Sequence, residues 1–156
     1  MHVLVAYASR HGATQGIAER IATTLTAAGV DAEARPAASV TSVDHYDAFV
    51  VGSAAYMFHW LKDASKFVER NKATLASSPV WLFSSGPLDH SAEFDDIPLT
   101  EQVAPAVAPI GARGHRTFGG RLLAGTPGVD ASMLATHRVG DFRNWAHIET
   151  WAHEIV

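Results

Sequence analysis

Five short stretches of this chain read as strands, and between them apolar residues recur at helical spacing. Val3-Leu4-Val5-Ala6-Tyr7, Ala48-Phe49-Val50-Val51-Gly52 and Val80-Trp81-Leu82-Phe83 are continuous apolar runs. Runs of that kind suit strands buried on both faces of a parallel sheet. Val30 to Arg35 alternates through Val30, Ala32 and Ala34 before Pro36, as a short edge strand does. His115-Arg116-Thr117-Phe118 is the last strand, closed by Gly119-Gly120. After the first run, Ile17, Ile21, Ala22, Leu25 and Ala28 mark a helix that Gly29 caps. Asp63 to Leu75 reads as a second helix, with Ala64, Phe67, Val68 and Leu75 facing inward and Pro79 beyond its end. A third, about Leu99 to Ile110, is interrupted by Pro105 and Pro109, and the last carries Trp145, Ile148, Ala152 and Ile155 on one face.

The remaining segments read as connections: residues 37–45, Ser53 to Trp60, Ser84 to Leu88, the acidic stretch Asp89 to Asp96, and Leu122 to about Gly140. Strand and helix thus alternate five times, which predicts an α/β fold with a five-stranded parallel sheet between two helical layers. No repeat or linker divides residues 1–156, so a single domain is expected. With strand order 2-1-3-4-5, the loops after strands one, three and four converge beyond the carboxyl ends of the strands, where such sheets bind ligands.

Composition narrows the chemistry. A formal charge of −4 without a basic block argues against a nucleic-acid surface. The absence of cysteine excludes disulfides, thiol redox chemistry and thiolate metal sites, so any redox chemistry must come with a cofactor. Nine histidines raise a metal question, but none forms His-x-His, and Glu149 with His153 is one isolated pair, so no metal site is expected. No apolar run reaches membrane-spanning length, and the first strand begins directly after Met1 without room for a signal peptide. The expectation is a cytoplasmic protein with no integral membrane segment.

The loop after the first strand, Ser9-Arg10-His11-Gly12-Ala13-Thr14, carries the strongest candidate chemistry. A helix start presents unpaired N–H groups and partial positive charge, a ready anion site. Ser9 and Thr14 add hydroxyls, Gly12 allows close backbone approach and Arg10 offers a charged fork. An ordinary capped turn would share these features, and the other two loops weigh against that reading. In the second, Ser53, Ala54, Ala55, Tyr56, Met57 and Phe58 supply backbone groups and a ring for a flat ligand. Ser84, Ser85, Gly86, Pro87 and Leu88 form the third, which lacks an aromatic side chain. His59 and His90 are the candidate proton donors.

The whole chain resembles a short-chain flavodoxin-type domain: Ser9-x-His11-Gly12-x-Thr14 is similar to that family's hydroxyl-rich phosphate loop, with His11 in place of a hydroxyl. The resemblance implies a flavodoxin-like sandwich, and FMN held by the three loops. Within that superfamily, Ser9 to Thr14 with its arginine, Gly52-Ser53-Ala54 through His59, Phe67-Val68 and Trp145 are similar to the quinone-linked protoporphyrinogen oxidases. That likeness implies a quinone or a porphyrinogen as small-molecule partner. Those oxidases carry a longer basic and apolar insertion before the last helix. Here Arg121 to Asp141 is short and poor in cations, so the likeness reaches flavin binding more firmly than membrane association.

Three functions stay open on the residues alone. The leading one is a flavin-dependent oxidoreductase transferring hydride or electrons. A flavodoxin-type carrier would use the acidic residues Asp89, Glu93, Asp95 and Asp96 to meet a redox partner. A flavin-free binding or regulatory module on the same fold is the third.

Overall fold

The computed structural model describes residues 1–156. Its central sheet is parallel, in the order β2 (Asp31–Pro36), β1 (His2–Ala8), β3 (Ala48–Tyr56), β5 (Val80–Ser85) and β6 (Gly114–Phe118). The two-residue strand β4 (His59–Trp60) turns back antiparallel on β3. Counting only the parallel strands, this is the 2-1-3-4-5 order expected from the alternation.

Strand alternation distributes β1 between two cores. Val3, Val5 and Tyr7 pack with Ile17, Ile21 and Leu25 of helix α1 (Ala13–Ala27) and with Ile148 and Trp151 of the last helix, α7 (Trp145–Ile155). Leu4 and Ala6 face the other way, with Phe49, Val51 and Leu82, onto Phe67 of α2 (Lys62–Arg70) and Leu75 of α3 (Lys72–Ala76). Both faces of the sheet are therefore covered, which is why the central strands read as unbroken apolar runs. The edge strand β2 is only partly buried, in keeping with its short alternating pattern.

Several expected boundaries move. The helix expected over Asp63 to Leu75 breaks at Asn71, whose Nδ2 donates to the Phe67 carbonyl at 3.0 Å. The helix expected over Leu99 to Ile110 shrinks to α5 (Ala104–Val107) and a following turn of 3-10 helix, because Pro105 and Pro109 supply no backbone donors. Ser53 to Trp60 is no open loop. Strand β3 runs on to Tyr56 and returns through the two-residue turn Met57-Phe58. The acidic stretch holds a single helical turn, α4 (Ser91–Phe94). The connection after β6 contains the strand pair β7 (Arg121–Leu122) and β8 (Gly140–Asp141), with α6 (Ala131–Thr136) between them.

Candidate functional site

Strand β1 sits between β2 and β3, so the chain leaves it in opposite directions on its two sides. At this switch point the loops after β1, β3 and β5 surround a cleft of about 500 Å³. Ser9, Arg10, His11, Ala13 and Thr14 line it from the first loop, Ala54, Ala55, Tyr56 and Met57 from the second, and Ser85, Gly86 and Leu88 from the third. A shallow groove of similar volume between α1 and β2, with Glu19 and Glu33 on its walls, lies away from these loops.

The first loop is shaped by Gly12, which adopts φ 89° and caps α1. An L side chain rarely takes that backbone conformation, so the tight entry into the helix requires glycine. The Gly12 amide donates to Ser9 Oγ at 3.0 Å, and the first helical bond runs from Gly16 N to Gly12 O at 3.1 Å. Amides at the opening of α1 are thus left free to meet an anion. Thr14 is 1% exposed, and its Oγ1 is buried without a hydrogen-bond partner. Buried hydroxyls are seldom left so, and this one stands on the wall of the cleft.

The second loop is a β-hairpin whose central residues, Met57 (φ 49°) and Phe58 (φ 70°), are both left-handed. Such a turn usually takes asparagine and glycine; here it holds two large apolar side chains, 74% and 69% exposed. Ser53 anchors its base: Oγ accepts from the Leu61 amide at 3.0 Å and donates to the Ala54 carbonyl at 2.8 Å. Tyr56 is covered by Arg10, whose Cζ lies 4.4 Å from the ring centroid. The first two loops are thereby joined across the mouth of the cleft.

In the third loop, neighbouring serines point to opposite sides, as strand alternation demands. Ser85 faces the cleft, whereas Ser84 Oγ accepts from Trp60 Nε1 at 3.0 Å and lies 3.0 Å from His115 Nε2. Burial holds the His115 imidazole near a pKa of about 4, so it stays neutral at pH 7. Gly86 passes so close to Ala55 that a Cβ would lie 3.3 Å from its carbonyl oxygen. Pro87 accepts from the Gly120 amide at 2.9 Å.

Seven of the residues singled out in the sequence lie off the cleft wall, among them Gly12, which shapes the first loop through its backbone. Ser53, Ser84, Phe58 and Pro87 support the loops or face a second cavity behind them. His59 lines a separate open groove with Ser9, Arg10, Tyr56, Met57, Lys62 and Asp63. His90 Nδ1 sits 3.4 Å from the Glu93 carboxylate with its ring edge-on to Phe142, so neither histidine opens onto the cleft. No group of three metal-ligating side chains occurs.

A fourth wall was not anticipated. Arg121, Leu122, Met133 and His137 close the cleft from the segment after β6. Arg121 Nη2 donates to the His11 carbonyl at 3.2 Å, and a Cβ on Gly12 would lie 3.2 Å from the same nitrogen. His11 in turn lies with Nδ1 3.4 Å from the Pro127 carbonyl. Arg121 follows the glycine pair that ends the last strand, and position after a parallel strand is the one sequence signal that marks it. The cleft therefore carries Arg10, Arg121, His11 and His137 and no acidic residue, in a chain whose net charge is −4.

A doubly wound sheet with a glycine-shaped strand-to-helix turn at its switch point is an arrangement in which nucleotide cofactors bind. The flavodoxin domain family matches residues 4–124, and the chain belongs to that family. No curated protein matches the chain by sequence. Among solved structures, a cysteine-to-serine variant of flavodoxin from Pseudomonas aeruginosa is similar at 21% identity and TM-score 0.65, over 99% of this chain and 95% of that one. A flavodoxin from the domain Archaea is similar at 17% identity and TM-score 0.63, over 99% and 96%. Rubredoxin oxygen:oxidoreductase from Desulfovibrio gigas shares the fold at 14% identity and TM-score 0.65, over 99% of this chain and 35% of that one.

FMN is the cofactor that membership of this family brings, and the residues present fit it. The unpartnered Thr14 hydroxyl, the amides opening α1 and the Arg121 guanidinium form a donor set for a phosphate. Tyr56, Met57 and Leu88 offer apolar surface for a flat ring system. When bound, FMN supplies hydride and single-electron transfer. The residues around the first loop would hold its phosphate, with Arg10 packed over Tyr56 and the segment Arg121 to His137 lining the cleft beside them.

Proposed function

We propose that the protein is an FMN-dependent oxidoreductase that exchanges hydride or electrons with a small molecule. The observation that carries this reading is the asymmetry of the cleft. Tyr56, stacked under Arg10, forms one aromatic wall, while the third loop contributes Leu88 and no ring. One side of the flavin is then left to aliphatic side chains, among them Met133, and is open to a substrate. A quinone or a porphyrinogen, the partners implied by the likeness to protoporphyrinogen oxidases, belongs to this proposal. The segment Arg121 to Asp141 lies against the phosphate loop through Arg121 and Pro127, which supports a role in holding the flavin over a role at a membrane. The reading keeps the cytoplasmic setting expected from the sequence, and no helix is long and apolar enough to cross a membrane.

A flavodoxin-type electron carrier is the second reading, favoured by the acidic residues Glu93, Asp95 and Asp96 that follow the third loop along the chain. The first measurement is the visible spectrum of the purified protein, followed by titration of the apoprotein with FMN, FAD and riboflavin. A yellow protein that prefers FMN to riboflavin supports the flavin reading. A colourless protein indifferent to all three refutes it and leaves the flavin-free module. Anaerobic reduction, followed by mixing with quinone or porphyrinogen and with protein acceptors at low and high salt, then separates enzyme from carrier. Turnover with a small molecule favours the enzyme, and strongly salt-dependent exchange with a protein favours the carrier.

A further inference from the structure

Behind the cleft lies a second cavity of about 370 Å³, between the hairpin and the segment Ile97 to Val103. None of the residues around it is ionisable. Its polar side chains are already engaged with the protein. Thr100 Oγ1 donates to the Phe58 carbonyl at 2.6 Å, Thr117 Oγ1 donates to the Ile97 carbonyl at 2.8 Å, and Ser84 is held by Trp60 and His115. A charged ligand would lose its water here and gain no counter-charge, which is costly. An apolar one would displace water from surface that makes no further hydrogen bonds. The neutral state of His115 behind Ser84 keeps that wall uncharged as well.

The cavity also adjoins the cleft. Ala55, Met57 and Gly86 border both, and Gly86 packs closely against the Ala55 backbone there. Its roof is the left-handed turn at Met57-Phe58, which the Thr100 hydroxyl ties down. We propose that this second cavity binds an uncharged, flat, mainly apolar molecule of one or two rings beside the flavin cleft. The binding is independent of the oxidoreductase reading, and the site is distinct from the side of the flavin near Met133 that the reading leaves to a substrate. The volume lies at the lower end of small-ligand pockets, which sets the limit of about two rings.

The three methionines report on this directly. Met57 borders both spaces, Met133 borders the cleft alone, and Met1 is exposed at the chain start. Protein carrying carbon-13 methyl methionine, loaded with FMN, is titrated with 2-naphthol and separately with its anionic counterpart 2-naphthoate. The expected result is a saturable shift of the Met57 methyl with Met133 and Met1 unmoved. Naphthoate should bind at least about tenfold more weakly, from the cost of burying its charge. Val103→Phe, which fills the cavity from the wall away from the cleft, should abolish the naphthol response and leave FMN affinity unchanged. No saturable Met57 shift, or a Met133 shift alongside it, overturns the proposal. So do equal affinities for the two probes, a comparison that requires no variant. If the protein takes no FMN, the oxidoreductase reading fails by itself, and the same titration of the flavin-free protein still decides the cavity.

Discussion

Replacing Arg121 by glutamine removes one positive charge from beside the loop Ser9 to Thr14 and leaves a shorter donor. The guanidinium stands directly over Gly12, with Nη2 3.2 Å from where a Cβ would be, and bonds the His11 carbonyl at the same distance. A phosphate held by Ser9 to Thr14 meets that charge across a part-buried site with no competing carboxylate on its wall. A hydrogen bond from a guanidinium to an anion contributes roughly 1.5–3 kcal/mol. At about 1.4 kcal/mol per decade, Arg121→Gln should weaken FMN by about 10- to 100-fold. Riboflavin has no phosphate, and its affinity should hardly change. The assay is flavin-fluorescence titration of the apoprotein with both ligands, at low and high salt, for the wild type, Arg121→Gln and Arg121→Lys. Lysine should restore part of the discrimination, since it keeps the charge and loses the fork. Equal losses for FMN and riboflavin would show that Arg121 acts by holding the loop through His11. Unchanged affinity for both would refute the placement of the phosphate beside it.

Thr14→Val removes a hydroxyl that has no partner in the protein, so folding stability measured by urea should stay within about 0.5 kcal/mol of wild type. FMN affinity should fall about tenfold, and a large loss of stability instead would show that the hydroxyl is bonded within the apoprotein. Gly52 pairs with Phe83 across the sheet, and a Cβ there would lie 2.1 Å from the nearest Phe83 ring carbons. Gly52→Ala should cost about 1–3 kcal/mol in urea unfolding, and an unchanged midpoint would mean that the ring can move aside. His115 has its pKa lowered by burial to about 4 from 6.5, so the unfolded chain takes up the proton first as pH falls. Its contribution is complete above pH 6.5 and is lost progressively down to about pH 4, up to about 3 kcal/mol in all. Unfolding midpoints across that range should fall less steeply in His115→Gln than in wild type.

What could be read from the chain itself is what depends on near neighbours. The five strands, the 2-1-3-4-5 order and the loop Ser9 to Thr14 follow from apolar runs, helical spacing and a glycine placed where a strand must enter a helix. The breaks at Asn71 and around Pro105 and Pro109 moved boundaries without changing the layers. The hairpin at Met57-Phe58 was invisible because its residues are not turn formers. Its conformation is imposed by the Ser53, Trp60 and Thr100 hydrogen bonds around it.

Side-chain direction within each loop was also beyond a linear reading. Ser84 and Ser85 are chemically identical, yet one braces Trp60 and the other faces the cleft, because the strand they end carries its alternation into the loop. Arg121, Met133 and His137 join His11 from more than a hundred residues away, and no periodicity encodes such a meeting. The sequence alone determined the sheet, the family likeness and a glycine-shaped strand-to-helix turn, all products of local preference and burial. Only the tertiary structure decided which cations face that turn and that an uncharged cavity lies behind it. Those depend on where packing places side chains that are distant along the chain.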